Sequence, residues 1–201
     1  RFPALQHRSF RRLWIATTIS VSGSQMQVTA LRWHMNELTG SAFSLGMLSL
    51  TRFFPLIVFS LFGGAFADSH DRRRIIMGTQ MLLAANALFL GWFTLTHKDT
   101  PLLLFLLNGI GAAVIAFDNP ARQSLLPNLV PRDHFSSAAS LNSMAFEMAT
   151  IAGPMIAGIL LNTSGLASIY FLNAISFFTV IMAIRSLPPL PPKTEEMAKS
   201  K

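Results

Sequence analysis

Apolar positions in this chain gather into six long runs, at about 13–35, 42–66, 75–96, 102–118, 136–162 and 168–185, parted by short polar stretches. A helix needs ~20 apolar residues to cross ~30 Å of hydrocarbon. The runs are of that order, so they predict an all-α integral membrane protein with six transmembrane helices. Most connections are a few residues long, such as Glu37–Ser41, His97–Pro101 and Thr163–Ala167. The connection Asn119–Phe135 is longer, and Pro120, Pro127 and Pro131 interrupt it. Proline removes a backbone donor and breaks helices, so a structured segment is expected there rather than a tight hairpin. Residues 1–187 then read as one six-helix bundle. Residues 188–201 carry Pro188, Pro189, Pro191 and Pro192 and read as the start of an extended, semi-rigid linker.

Basic residues fix an expected orientation, because arginine and lysine collect on the cytoplasmic side of membrane helices. Arg1, Arg8, Arg11 and Arg12 precede the first run, and Arg72, Arg73 and Arg74 follow the second. Arg122 and Arg132 follow the fourth, and Arg185, Lys193, Lys199 and Lys201 follow the sixth. The opposite connections hold only Lys98. Both termini are therefore expected in the cytoplasm. The formal charge of +7 raises the thought of nucleic acid, but these cations sit between apolar runs, which argues against it. Only 12% of the 201 residues are charged, against ~25% in soluble domains. Cysteine is absent, which removes disulfides and thiolate metal sites. The chain begins with Arg1, so its true start is expected upstream. The first run shows no secretory signal.

The turn after the second run is Gly63-Gly64-Ala65-Phe66-Ala67-Asp68-Ser69-His70-Asp71-Arg72-Arg73-Arg74. Its glycines allow close packing or a bend, Asp68 is expected to cap a helix terminus, and the arginines pin the turn to the cytoplasm. This stretch resembles the signature loop of the major facilitator superfamily, Gly-x-x-x-Asp-Arg/Lys-x-Gly-Arg/Lys-Arg/Lys. Gly64, Asp68, Arg72 and Arg73 match, whereas Ser69 and Asp71 replace a basic residue and a glycine. The Asp-Arg-Arg form resembles the exporter branch that contains enterobactin exporters and macrolide-efflux proteins. Asn119-Pro120-Ala121-Arg122-Gln123 with Leu129-Val130-Pro131 resembles a further segment of that branch. Gly153-Pro154-Met155-Ile156-Ala157-Gly158 resembles the antiporter motif Gly-Pro-x-x-Gly-Gly, with Ala157 for one glycine. Without the resemblance, Gly153, Pro154 and Gly158 also describe an ordinary kinked, closely packed membrane helix. Proton-driven relatives often carry an arginine four residues before a Gly-x-Gly; here Phe105 precedes Gly109-Ile110-Gly111.

The resemblance implies the amino-terminal half of a twelve-helix fold, built from two inverted three-helix repeats. It implies that Asp118 pairs with Arg72 or Arg73 as a conformational latch. Other candidates come from the residues themselves. Thr18, Ser22, Gln25, Thr29 and Arg32 form one polar stripe along the first helix. The stripe is either a cavity wall or hydrogen-bonding glue between helices, and Arg32 can also snorkel to the interface. Arg52 and Glu147 stand near mid-span, where a lone charge costs at least ~2.5–3.5 kcal/mol. Glu147 is either a proton- or substrate-coupling carboxyl or half of a static ion pair with Arg52 or Arg32. Asn108 faces substrate or bonds to a neighbouring helix.

No catalytic constellation, phosphate loop or histidine metal pair is present in the sequence, so neither an enzyme nor a bound cofactor is expected. The expected function is secondary active export of a small amphipathic molecule, a drug or siderophore, across the bacterial cytoplasmic membrane. The resemblance implies alternating access and exchange for protons, with the carboxy-terminal six-helix half or a second copy as partner. The alternative is a six-helix scaffold or assembly partner that transports nothing by itself.

Overall fold

The structure is a computed structural model that describes residues 2–187, apart from the side chain of Asp68. The predicted linker at 188–201 lies outside the described residues. Six long helices run through the described part: α1 Arg8–Thr39, α2 Ala42–Ser69, α3 Arg72–Leu95, α4 Pro101–Leu125, α5 Phe135–Thr163 and α6 Leu166–Arg185. Each apolar run coincides with one helix, the run at 75–96 passing the end of α3 by one residue, and α1, α2 and α4 overrun theirs by several residues. Hydropathy reports only the apolar part of a helix, whereas its hydrogen-bond ladder continues into polar turns.

Local chemistry sets the ends. Gly40 stops α1 in the left-handed region (φ 58°), its N–H donating to the Asn36 carbonyl. The Ser41 hydroxyl then caps α2, and Thr100 with Pro101 at the first turn starts α4. Gly165, at φ 79°, turns the chain from α5 into α6. At the signature turn the structure differs from expectation. α2 continues through Ser69, which leaves Asp68 at a helix carboxyl end. Asp71 caps α3 instead, accepting from the Arg73 N–H at 2.9 Å. The long fourth connection also differs. α4 runs on through Pro120 to Leu125, and only the short 3-10 turns Leu126–Asn128 and Arg132–His134 separate it from α5.

Pro120 leaves the Ala116 carbonyl without its helical donor, and that oxygen lies against the neighbouring helix. Gly63 of α2 packs onto that oxygen so closely that a Cβ there has no room. The reciprocal arrangement occurs further along the same two helices. Pro55 of α2 frees the Thr51 carbonyl, and a Cβ on Gly109 of α4 would lie 3.3 Å from that oxygen. Asn108 adds two bonds to this seam, donating to the Leu48 carbonyl (2.7 Å) and the Thr51 hydroxyl (3.1 Å).

α1 is the centre of the bundle and packs on both α6 and α5, while α3 packs on α6 and α4. Its seam with α6 is polar. Asn173 donates to Gln27 (2.6 Å), and the Thr179 hydroxyl reaches the Ala16 carbonyl. Apolar clusters close both ends. Ile76, Ala121, Leu125 and Ile184 lie at the near end, where α1 begins. Met35, Leu90, Leu104 and Tyr170 lie at the far end. α2 to α6 are long and apolar enough to cross a membrane. α1 has the length, but its polar residues keep it out of that class.

Candidate transport cavity and its charged surroundings

Between α1, α4 and α5, at the near end, lies a cavity of about 460 Å³. Four aromatic side chains, Phe10, Trp14, Phe135 and Phe146, stand in its wall, and Thr17, Asn119, Arg122, Gln123 and Asn142 bring polar groups to it. Trp14 is held in place by its indole N–H, which donates to the Leu141 carbonyl at 3.0 Å. Such a wall accepts flat apolar surface and fixes it with a few polar contacts.

Behind the cavity sits Asp118, 5% exposed. One carboxylate oxygen accepts from the Thr79 hydroxyl and from the Gln80 amide (3.0 Å). The other accepts from Arg122 Nε, and Arg122 Nη1 donates to the Thr17 hydroxyl (2.9 Å). One carboxylate thus joins α1, α3 and α4, and Arg122 enters the cavity already neutralised. The latch pairing implied by the resemblance is not what this conformation contains: Asp118 pairs with Arg122, not with Arg72 or Arg73. Arg73 instead donates to the Ile184 carbonyl (3.1 Å) at the carboxyl end of α6. Arg72 is buried, and its Nη2 has no partner among the described residues. Asp118 and Arg122 stand at i, i+4 on one helix, a spacing that favours pairing and that was available in the sequence.

The polar stripe of α1 runs beside the cavity rather than along its wall. Thr18 and Thr29 bond back to the carbonyls of Trp14 and Gln25. Gln25 packs against Gly153 of α5, where an added Cβ would meet it at 2.5 Å. Ser22 is half-buried and Arg32 exposed. The α1 residues that do line the cavity are Leu13, Trp14, Thr17 and Val21, together with Phe10. Of the glycines in the motifs, Gly64 and Gly158 have open space beside them, while Gly63 and Gly153 make the close approaches. Pro154 lies on an exposed face of α5 with Ser143 and Glu147.

Glu147 and Arg52 do not meet. The ion pairs among the described residues are His34–Asp99, Asp71–Arg74 and Asp118–Arg122. Glu147 stands exposed on α5 away from the cavity lining. Arg52 and Arg32 instead line one small cleft between α1, α2 and α4, with Asn108 at its side.

A cluster at the far end has no counterpart among the sequence candidates. His34, 2% exposed, bonds through Nε2 to Asp99 (2.7 Å) and through Nδ1 to the Tyr170 hydroxyl (3.1 Å). Asp99 is acceptor-only when ionised, so Nε2 carries a hydrogen toward it. The cluster ties α1, the α3–α4 turn and α6 together. The signal in the sequence was Tyr170, the chain's single tyrosine, set in an apolar helix where a buried hydroxyl needs a partner.

A bundle of long apolar helices with a semi-polar cavity at one end defines a multi-pass membrane protein of transport type. The chain belongs to the transmembrane secretion effector family of the major facilitator superfamily, whose model matches residues 1–198. It is 28% identical over 179 residues to macrolide efflux protein A of Streptococcus pyogenes, covering 87% of this chain and 42% of that relative. It is 30% identical over 182 residues to the uncharacterized MFS-type transporter YkuC of Bacillus subtilis, with 90% and 42% covered. With the enterobactin exporter EntS of Shigella boydii the identity is 26% over 186 residues, with 92% and 45% covered. The chain thus spans less than half the length of these curated relatives. The family and its relatives are transporters, not enzymes.

Proposed function

We propose that this chain forms half of a secondary transporter that exports a small amphipathic molecule, of drug or siderophore type, by alternating access. The observation that carries the reading is the aromatic-walled cavity beside the Asp118–Arg122 pair, in a member of a secretion family whose relatives carry efflux names. The remaining length of those relatives corresponds to a second half that would close the open side of the cavity. α1 spans the membrane as well, with polar side chains engaged across its seam with α6 and on its own backbone. The ends of the bundle that carry the arginines face the cytoplasm across a bacterial inner membrane, an orientation supported by the bias of arginine toward that side. The cluster of Asp118, Arg122, Thr17, Thr79 and Gln80, with the signature arginines beside it, is the latch of the inward end. Proton exchange drives export, and Glu147, exposed and without a cationic partner among the described residues, is its carboxyl.

The deciding experiment is export by the full-length protein in an efflux-deficient strain, with a panel of macrolides and catechol siderophores. Energised cells should lower accumulation of at least one panel member, and collapse of the pH gradient should abolish that effect. Glu147→Gln should retain binding and lose gradient-driven export. Impermeant thiol reagents should label a cysteine at Lys98 and not one at Ser69 in intact cells. No export of any panel member, with normal expression, favours the scaffold alternative. Labelling at Ser69 overturns the orientation.

A further inference from the structure

Arg32 and Arg52 share a cleft that no carboxylate enters. The cleft lies in the half of the bundle away from the aromatic cavity. Arg52 stands about 15 Å along α2 from its first residue, and Arg32 about 10 Å before the end of α1. Its wall consists of Val28, Leu31, Leu48, Ser49 and Asn108 besides the two arginines. Asn108 has spent its amide hydrogens on Leu48 and Thr51, and Ser49 bonds back to the Leu45 carbonyl. The pocket on the other side of Arg52 offers only neutral groups: Ser24, Gln27, Asn86 and Asn173. Among the described residues neither guanidinium has an ion-pair or hydrogen-bond partner. Two like charges facing one cleft repel each other, and the half-buried Arg52 is costly at membrane depth, whereas Arg32 is exposed. An oxyanion between them reverses both costs, because guanidinium forks match carboxylate and phosphate geometry.

The geometry points to an oxyanion-binding subsite formed by Arg32 and Arg52, which takes the single acidic group of an amphipathic ligand. The cleft is small, about 30 Å³, room for one or two water-sized groups. It holds a carboxylate or phosphate oxygen set, and the body of the ligand lies outside it. The subsite selects for acidic amphipaths over neutral ones. This assignment of ligand class rests on the transport reading above. The same chemistry is present in a substrate carboxylate and in the phosphate of an anionic lipid.

The test is equilibrium binding to the full-length protein in phosphatidylcholine nanodiscs, read by dansyl fluorescence. Dansylglycine and dansylglycinamide carry the same aromatic body with and without a carboxylate. The expected result is at least tenfold tighter binding of dansylglycine. Arg52→Gln and Arg32→Gln should each remove most of that preference, Arg52→Lys should keep part of it, and Lys98→Ala should leave it unchanged. Thermal melts of each variant identify any that misfold, and the lysine variant then carries the test. Discs containing phosphatidylglycerol separate the two sources. Competition by the lipid assigns the subsite to a headgroup, and unchanged binding assigns it to the soluble ligand. Equal affinity for the two probes in the unaltered protein overturns the subsite, as does a preference that survives both glutamine variants. Because no transport is measured, failure here leaves the export reading intact. Absence of export with intact anion preference has the opposite meaning.

Discussion

α2 and α6 are nearly equal in mean hydropathy, 1.8 and 1.9, yet 6% of the apolar stretch of α2 is buried within the chain against 50% for α6. α3 matches α6 at 50%, and α5 sits with α2 at 22%. The difference lies in where small and polar residues fall. α6 places Asn173, Ser176 and Thr179 on the face toward α1, and Gly23 opens α1 to receive them. α2 and α5 turn large side chains outward instead, including Phe43, Phe54, Phe62, Met148 and Met155. In lipid an outward phenylalanine costs nothing, so association is decided by close packing and hydrogen bonds rather than by hydrophobicity. α3 and α6 thus give about half of their surface to this chain and leave the other half free, whereas α2 and α5 leave most of theirs to lipid or to the rest of the protein.

The sharpest way to break this contrast is Gly23→Leu. A Cβ at Gly23 would lie 2.5 Å from Asn173 Oδ1 and 2.6 Å from Ser176 Oγ, so the α1–α6 seam must open. The full-length variant should fail to give a monodisperse detergent-solubilised peak, whereas Phe62→Leu on α2 should elute normally. Next comes the far-end cluster. Asp99→Asn gives the buried His34 a neutral acceptor in place of a carboxylate, and a hydrogen bond to a charged group contributes ~1.5–3 kcal/mol. The thermal midpoint should fall clearly, while Lys98→Ala in the same turn should not move it. Third is Gly63→Ala against Gly64→Ala. Gly63 meets a backbone oxygen that cannot turn aside, and overpacking costs ~1–3 kcal/mol. Gly64 has open space, so its alanine variant should melt at or above the parent. An equal loss in both would remove Gly63 from the α2–α4 seam. The smallest effect is expected from Asn173→Ala, ~0.6 kcal/mol for one interhelical hydrogen bond. That is a shift near the limit of a melting experiment.

The helices were legible because each apolar run is long and each turn carries glycine, proline or a capping side chain. The family was legible in Asp68, Arg72 and Arg73 and in the Pro-Ala-Arg-Gln stretch. The packing partners were not. Periodicity placed Thr18, Ser22 and Gln25 on one face of α1, but which helix meets that face depends on contacts far away in the chain. The cavity wall therefore came out one position aside, at Leu13, Trp14, Thr17 and Val21. The resemblance singled out Asp118 as half of a latch with Arg72 or Arg73, whereas the structure pairs it with Arg122. Its partner Arg122 was read as a motif letter because the resemblance pointed to the signature loop. Arg52 and Glu147 were natural candidates for each other, since both stand near mid-span. Nothing in a one-dimensional pattern shows that one faces α1 and α4 while the other faces outward.

The two proline–glycine contacts between α2 and α4 bear on how such a chain can change over generations. Position 63 has no room for a side chain while Pro120 holds the Ala116 carbonyl free, and position 109 is held less tightly, its Cβ falling 3.3 Å from the carbonyl that Pro55 frees. If Pro120 became alanine, its restored N–H would draw that carbonyl back into the α4 ladder, and the space beside Gly63 would widen. An alanine at 63 would then fill a gap rather than create a clash. Gly63 and Pro120 are thus a two-locus unit, in which the second substitution rescues the first. Drift at these two positions is therefore expected to proceed in coupled steps, with the glycine lost from α2 only in lineages that have already lost the facing proline from α4, and the Gly109–Pro55 pair is expected to be more loosely coupled.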